Sequence, residues 1–337
     1  MNEHSDIAEN RSGRALLKRV AATITVCALL AWVIYRAWQD ALLIDWTELE
    51  IRYGLFAVSM ALYGLGFVWQ GFAWVMMMRM LGYELPMRAG LKASAASQFG
   101  NYVPGKVFIV IFRAQIAGRH GIPPVPVAGT IALETVLRNM VATLLAGIGL
   151  YALGAGLSYL PAAALLIAAA VVFAHPRVFH GIADWVLHKL NRPPLPSRLN
   201  GLQIATLLGY YFVYWGLHCF AFYLMVQATF AVEWTALAPL AIALLGSQIA
   251  STLVVFAPVG LGAKEATIAG LLQLTGGVPS PFVVALLMRV WRTASELIQI
   301  AIVWLIPQPE PDTGNEADEG KAECIEVPEK AETPPAG

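Results

Sequence analysis

The chain has 337 residues, of which 58% are hydrophobic and only 13% charged, and its mean hydropathy is +0.63. Soluble domains carry about 25% charged residues, so an ordinary soluble globular fold is excluded. Lys and Arg (22) balance Asp and Glu (22), so no global field points to nucleic acid.

In chain order, residues 1–19 form a basic arm carrying Arg11, Arg14, Lys18 and Arg19. The apolar stretch 20–38 is too long for a signal-peptide core and lacks a clear cleavage site, so it reads as a first membrane helix. Loop 39–53 holds Asp40, Asp45, Glu48 and Glu50 with only Arg52. Uncharged runs at 54–78, 158–174, 201–228 and 236–257 match the ~20 residues that cross a hydrocarbon core. Basic residues recur at Arg79, Arg88 and Lys92 and in loop 175–200, and are absent from 151–157 and 229–235. By the positive-inside rule the N-terminus is cytoplasmic.

Residues 84–122 do not fit one crossing, because both ends are basic (Arg88 and Lys92, then Arg119). Two short helices, at 87–102 and 105–118, are expected, each about 22 Å long against a core of ~30 Å. Proline lacks a donor and disfavours helix in the residue before it, so Pro104–Gly105 separates them. The economical reading is a re-entrant hairpin, about 87–118. A second break, Ala257–Pro258–Val259–Gly260–Leu261–Gly262, divides a second hairpin, about 236–275. Each leads into a helix with intramembrane charge: 126–150 with Glu134 and Arg138, then 280–306 with Arg289, Arg292 and Glu296. The Pro104-to-Arg138 and Pro258-to-Arg292 spacings are both 34 residues, suggesting an internal repeat. The expected fold is an all-α polytopic membrane protein with about eight hydrophobic segments. Six are full spans and two are Pro/Gly-broken hairpins in an inverted repeat; eight conventional spans are the alternative. The domain then covers residues 20–306, followed by an acidic, Pro-rich tail at 307–337 expected to be disordered. That tail is too short for a catalytic domain, so the chemistry belongs to the membrane.

Charge inside a membrane is costly and marks function or pairing. Glu134 and Arg138 share a helix face, as do Arg289, Arg292 and Glu296. Each Arg pairing with its own Glu is the bland reading. The second helix then has one cation left over, making Arg289 the better candidate for an anionic ligand. Helices restarting at Gly105 and near Gly260–Gly262 would aim N–H groups at the hairpin tips, reinforced by Lys106 and Lys264. Snorkelling to headgroups is the competing role for Arg113 and Lys264. The segment GNYVPGKV, Gly100 to Val107, matches a phosphate-binding loop except that Val107 replaces the magnesium-ligating hydroxyl. With neither a preceding strand nor a soluble α/β domain, nucleotide binding there is set aside. No hydrolase or metal motif appears: Cys27, Cys219 and Cys324 are far apart, and His175, His180 and His188 in loop 175–200 face headgroups. No cofactor, metal or catalytic residue is expected. Trp69, Trp74, Tyr210, Tyr211, Tyr214 and Trp215 suit interfacial belts and helix packing, and Gly54, Gly64, Gly66 and Gly71 suit close packing.

Two stretches resemble the lysylphosphatidylglycerol synthase transmembrane-region, or flippase-like, family. They are NYVPGKVFIVIFR (Asn101–Arg113) with GRHGI and ETVLR (Glu134–Arg138), and PVGLGAKE (Pro258–Glu265) with the Arg289/Arg292 helix. The resemblance implies a stand-alone member, without a synthase domain, that handles lipid in a bacterial inner membrane. By motif match it marks Pro104, Gly105, Arg113, Glu134, Arg138, Pro258, Gly260, Gly262, Glu265 and Arg292. Phe108 and the PVGLG form depart from the family's usual glycines. The expected function is transport or flipping of an anionic lipid or a polyprenyl-phosphate-linked intermediate, not enzymatic turnover. The anionic headgroup would meet Gly105, Lys106, Arg113, Arg138, Gly260, Gly262, Lys264, Arg289 and Arg292, with Glu134, Glu265 and Glu296 as charge partners. The alternative is a non-transporting subunit that presents lipid to a glycosyltransferase or lipid synthase. Both termini are expected in the cytoplasm, and the expected partners are a lipid and such a biosynthetic enzyme.

Overall fold

The structure, a computed structural model, describes residues 51–98, 107–154, 160–191, 193–253 and 263–305, with single positions at 35, 38 and 42. The basic arm, all of the first expected helix but positions 35 and 38, and the acidic tail therefore lie outside the described residues, as do Pro104, Gly105, Lys106, Pro258, Gly260 and Gly262.

The described residues form α-helices and one 3-10 turn, without a strand. In order they are α1 (Tyr53–Met80), α2 (Met87–Ser97), α3 (Val107–Gly118), α4 (Pro124–Ala152), α5 (Leu160–Ala174) and α6 (Pro176–Lys189). There follow α7 (Gly201–Phe230), a 3-10 turn (Trp234–Ala236), α8 (Leu237–Leu253), α9 (Ala263–Thr275) and α10 (Pro281–Leu305). Their boundaries have local causes. Pro124 and Pro176 open α4 and α6, where a missing N–H has no helical partner to lose. Asn200 and Gln203 close a reciprocal capping box at the start of α7, both bonds 2.8 Å. That helix ends at Ala231, in the left-handed region at φ 48°.

Among the described residues, four helices are long and apolar enough to cross a membrane: α1, α4, α7 and the turn-plus-α8 unit, Trp234–Thr252. α5 and α6 together would make a fifth, bent by 59°. α10 has the length, with 25 residues, but Arg289, Arg292 and Glu296 raise its polarity. α2 and α3, with 11 and 12 residues, rise about 16–18 Å and pack against each other. The second hairpin differs: its first arm, α8, is long enough to span and only α9 is short.

The chain uses one packing plan twice. A long helix leads into a hairpin and then into a second long helix: α1, α2/α3, α4, then α7, α8/α9, α10. The arms of each hairpin pack together, and the second arm packs on the long helix that follows. The halves interlock reciprocally: α1 lies against α7, α4 against α8 and α10 against α2. Close approach is built in. A Cβ at Gly66 on α1 would lie 2.3 Å from His218 Cε1 on α7, and one at Gly90 on α2 would lie 2.1 Å from Val75 Cγ2 on α1. Gly64 and Gly71 also face neighbours, whereas Gly54 faces open space, so close packing explains three of the four glycines expected to serve it.

Candidate functional site: a cationic cavity between the two halves

The site starts from Glu134, 3% exposed on α4. Arg113, 2% exposed on α3, reaches its Oε2 at 2.5 Å, and Gln70 Nε2 of α1 donates to Oε1. Arg113 is held elsewhere too: Nε donates to Ser97 Oγ and Nη2 to Ser94 Oγ, both 3.3 Å, and its guanidinium lies 4.7 Å from the Trp74 ring centroid. Trp74 Nε1 in turn donates to Thr130 Oγ1 at 3.1 Å. A buried charge pair is tolerable only when its remaining donors and acceptors are satisfied, and this one binds α1, α2, α3 and α4 into a block. Local spacing pairs Glu134 with Arg138, but Arg113 holds it more closely. Arg138 stands 3.7 Å from Glu134 Oε1, and its Nε is buried without a hydrogen-bond partner.

The second half repeats the construction with signs exchanged. Glu265 on α9 meets Arg289 on α10 at 3.0 Å, as Arg113 on α3 meets Glu134 on α4. Glu296 takes Arg292 at 2.7 Å. Arg289, expected as the leftover cation, is thus directed to Glu265. Lys264 Nζ donates to Gln248 Oε1 at 3.3 Å, turning inward rather than to a headgroup boundary.

Between the halves lies a cavity of about 640 Å³. Four cations line it, Arg113 and Arg138 from the first half and Lys264 and Arg292 from the second, with Glu134 the one carboxylate among the described lining residues. Glu296 sits just behind Arg292, so among the described residues four cations and one carboxylate face the cavity. Glu265, Arg289 and Glu296 are not among the residues lining the cavity. Neutral polar groups complete its wall, among them Gln70, Gln248 and His218. Such a cavity can hold one phosphate-sized anion by charge and side-chain donors, with apolar surface beside it.

The sequence profile of the lysylphosphatidylglycerol synthase transmembrane region matches residues 19–302. The chain belongs to that family. Comparisons with curated proteins and with solved structures give no match. Family membership and the apolar helices together make the chain a multi-pass membrane protein, and the matched region contains the whole cavity.

Within this family member, the motif positions Arg113, Glu134, Arg138 and Arg292 converge on the cavity, whereas Glu265 pairs behind it. Gln70 and His218 were not singled out from sequence. Their signal was available, since each is a polar residue inside a long apolar helix. His218 Nδ1 donates to the Tyr214 carbonyl at 2.8 Å, and its ring packs against Tyr63, Phe67 and Tyr214. Trp74, Tyr211, Tyr214 and Trp215 are buried, so these aromatics serve packing rather than a belt. The segment expected as loop 175–200 contains helix α6, and His180 is buried there, accepting from Leu199 N at 2.7 Å, rather than facing headgroups. Among the described residues no His, Cys, Asp and Glu cluster could hold a metal.

Proposed function

We infer that the protein moves an anionic lipid, or a polyprenyl-phosphate-linked intermediate, between the leaflets of a bacterial inner membrane, and that it does so without chemical turnover. The observation that carries this reading is the cavity's excess of cations, drawn from both halves of a twofold-repeated membrane fold. A phosphate entering it gains Arg138 and competes with Gln248 for Lys264 and with Glu296 for Arg292. Each half thereby holds an ion pair that the ligand can loosen, a means of rocking one half against the other. Arg113–Glu134 and Arg289–Glu265 stay closed and keep each hairpin attached to its long helix. With no nucleotide-binding motif in the sequence, the driving force is a gradient or the consumption of the lipid by a biosynthetic enzyme.

The Arg292→Glu variant, expressed and inserted normally, should lose translocation of a fluorescent anionic lipid in proteoliposomes. Rates equal to those of the unaltered protein would refute the role given to Arg292.

A further inference from the structure

A second cavity, about 470 Å³, lies between α3, α4 and α6. None of the described residues lining it has a polar side chain. It extends along the first turns of α4, from Pro124 to Gly129, with Phe179, Ile182 and Leu187 of α6 opposite. Val110 and Ala128 line this cavity and the cationic one alike. The two spaces are therefore adjacent compartments sharing a wall, one charged and one purely apolar.

The apolar compartment also lies where a hydrocarbon chain could enter. On α6, Ile182 and Trp185 are 45% and 63% exposed, and Lys189 Nζ stands 5.2 Å from the Trp185 ring centroid. An apolar face beside a Trp–Lys pair is the composition of a helix lying in the membrane interface. Gly129 has a further property: a Cβ there meets nothing within 4 Å, although this glycine sits inside a helix where every residue except proline has the higher helix propensity. The missing side chain leaves the apolar space open.

We propose that this compartment is a chain-binding subsite: it receives the proximal part of one hydrocarbon chain of the lipid whose phosphate occupies the cationic cavity. This rests on the proposed lipid function and deepens it. The ligand is held at two points, by charge at Arg138, Lys264 and Arg292 and by apolar contact along α4 and α6, so recognition covers the junction of headgroup and chain.

The test uses the full chain in nanodiscs with two photoprobes, dioleoylphosphatidylglycerol and a prenyl phosphate, each carrying a diazirine on its hydrocarbon chain. Adducts should concentrate on residues 124–129 and 179–187, and Gly129→Leu, which fills the space, should reduce them at least fivefold. Labelling by one probe or the other identifies the chain as acyl or prenyl. Should Gly129→Leu fail to fold, Ala183→Leu fills the same space from α6. Arg292→Gln separates the two claims. Loss of labelling in both variants supports headgroup and chain sites together. Loss in Gly129→Leu alone supports the chain subsite and removes the cationic cavity as its headgroup site. Adducts spread evenly over lipid-facing helices, unchanged by Gly129→Leu, or absent from both walls because another segment of the protein fills the space, would overturn the subsite.

Discussion

Glu134 accepts from Gln70 and pairs with two arginines, and removing its charge should cost more than removing the whole pair. Glu134→Ala leaves Arg113, 2% exposed, as an uncompensated buried cation. Breaking a buried pair in this way typically costs about 3–5 kcal/mol, whereas replacing both partners by apolar residues of similar volume is often neutral. Thermal unfolding in detergent should therefore show a large loss for Glu134→Ala and recovery of most of it in Arg113→Met/Glu134→Leu. A double variant no more stable than the single one would remove the structural role given to this pair. The pair was only partly legible in the sequence. Spacing of i, i+4 identifies Arg138 as a neighbour of Glu134 because it depends on helix geometry alone. Arg113 is 21 residues away, and only the path of the hairpin brings it to the carboxylate. The Arg289–Glu265 pair was hidden for the same reason, since its two members sit on different helices.

At the level of helices, the sequence was more informative. Residues 87–118 announced two short arms on either side of a Pro-Gly pair; the pair itself lies outside the described residues, and α2 and α3, with 11 and 12 residues, are shorter than the arms expected. α4 and α10 fall within two residues of their expected limits. What the sequence did not carry was the reciprocal docking of α4 on α8 and α10 on α2, because contacts between distant segments leave no period. Nor did it place α6, whose charges and histidines suggested a loop, whereas it is a helix that packs on α4 and α5. Docking of α2 on α1 depends on Gly90. A Cβ there lies 2.1 Å from Val75 Cγ2, and a β-branched side chain cannot easily turn away. Gly90→Ala should destabilise by about 1–3 kcal/mol, as overpacking does. Val75→Ala in the same chain should restore part of the loss, an interaction that a double-mutant cycle measures directly. Additive effects would show that the two residues do not meet.

For the molecule as a whole, two interlocked halves each contribute cations to one cavity while keeping a paired charge for their own cohesion. Neutralising Arg138 and Lys264 together should therefore reduce anionic-lipid transport by at least tenfold while leaving unfolding temperature within a few degrees. Arg138 stands 3.7 Å from Glu134, which Arg113 holds at 2.5 Å, and Lys264 donates to the neutral Gln248. A collapse of stability instead would make them part of the scaffold. The claim on which the rest depends is that a cationic cavity selects what crosses. It is tested most directly by dithionite quenching of fluorescent lipids in proteoliposomes of the unaltered protein, comparing phosphatidylglycerol with phosphatidylcholine. Selection by charge predicts translocation of the anionic lipid well above protein-free vesicles and above the zwitterionic lipid. Equal rates for the two lipids, or none above the protein-free background, would contradict it.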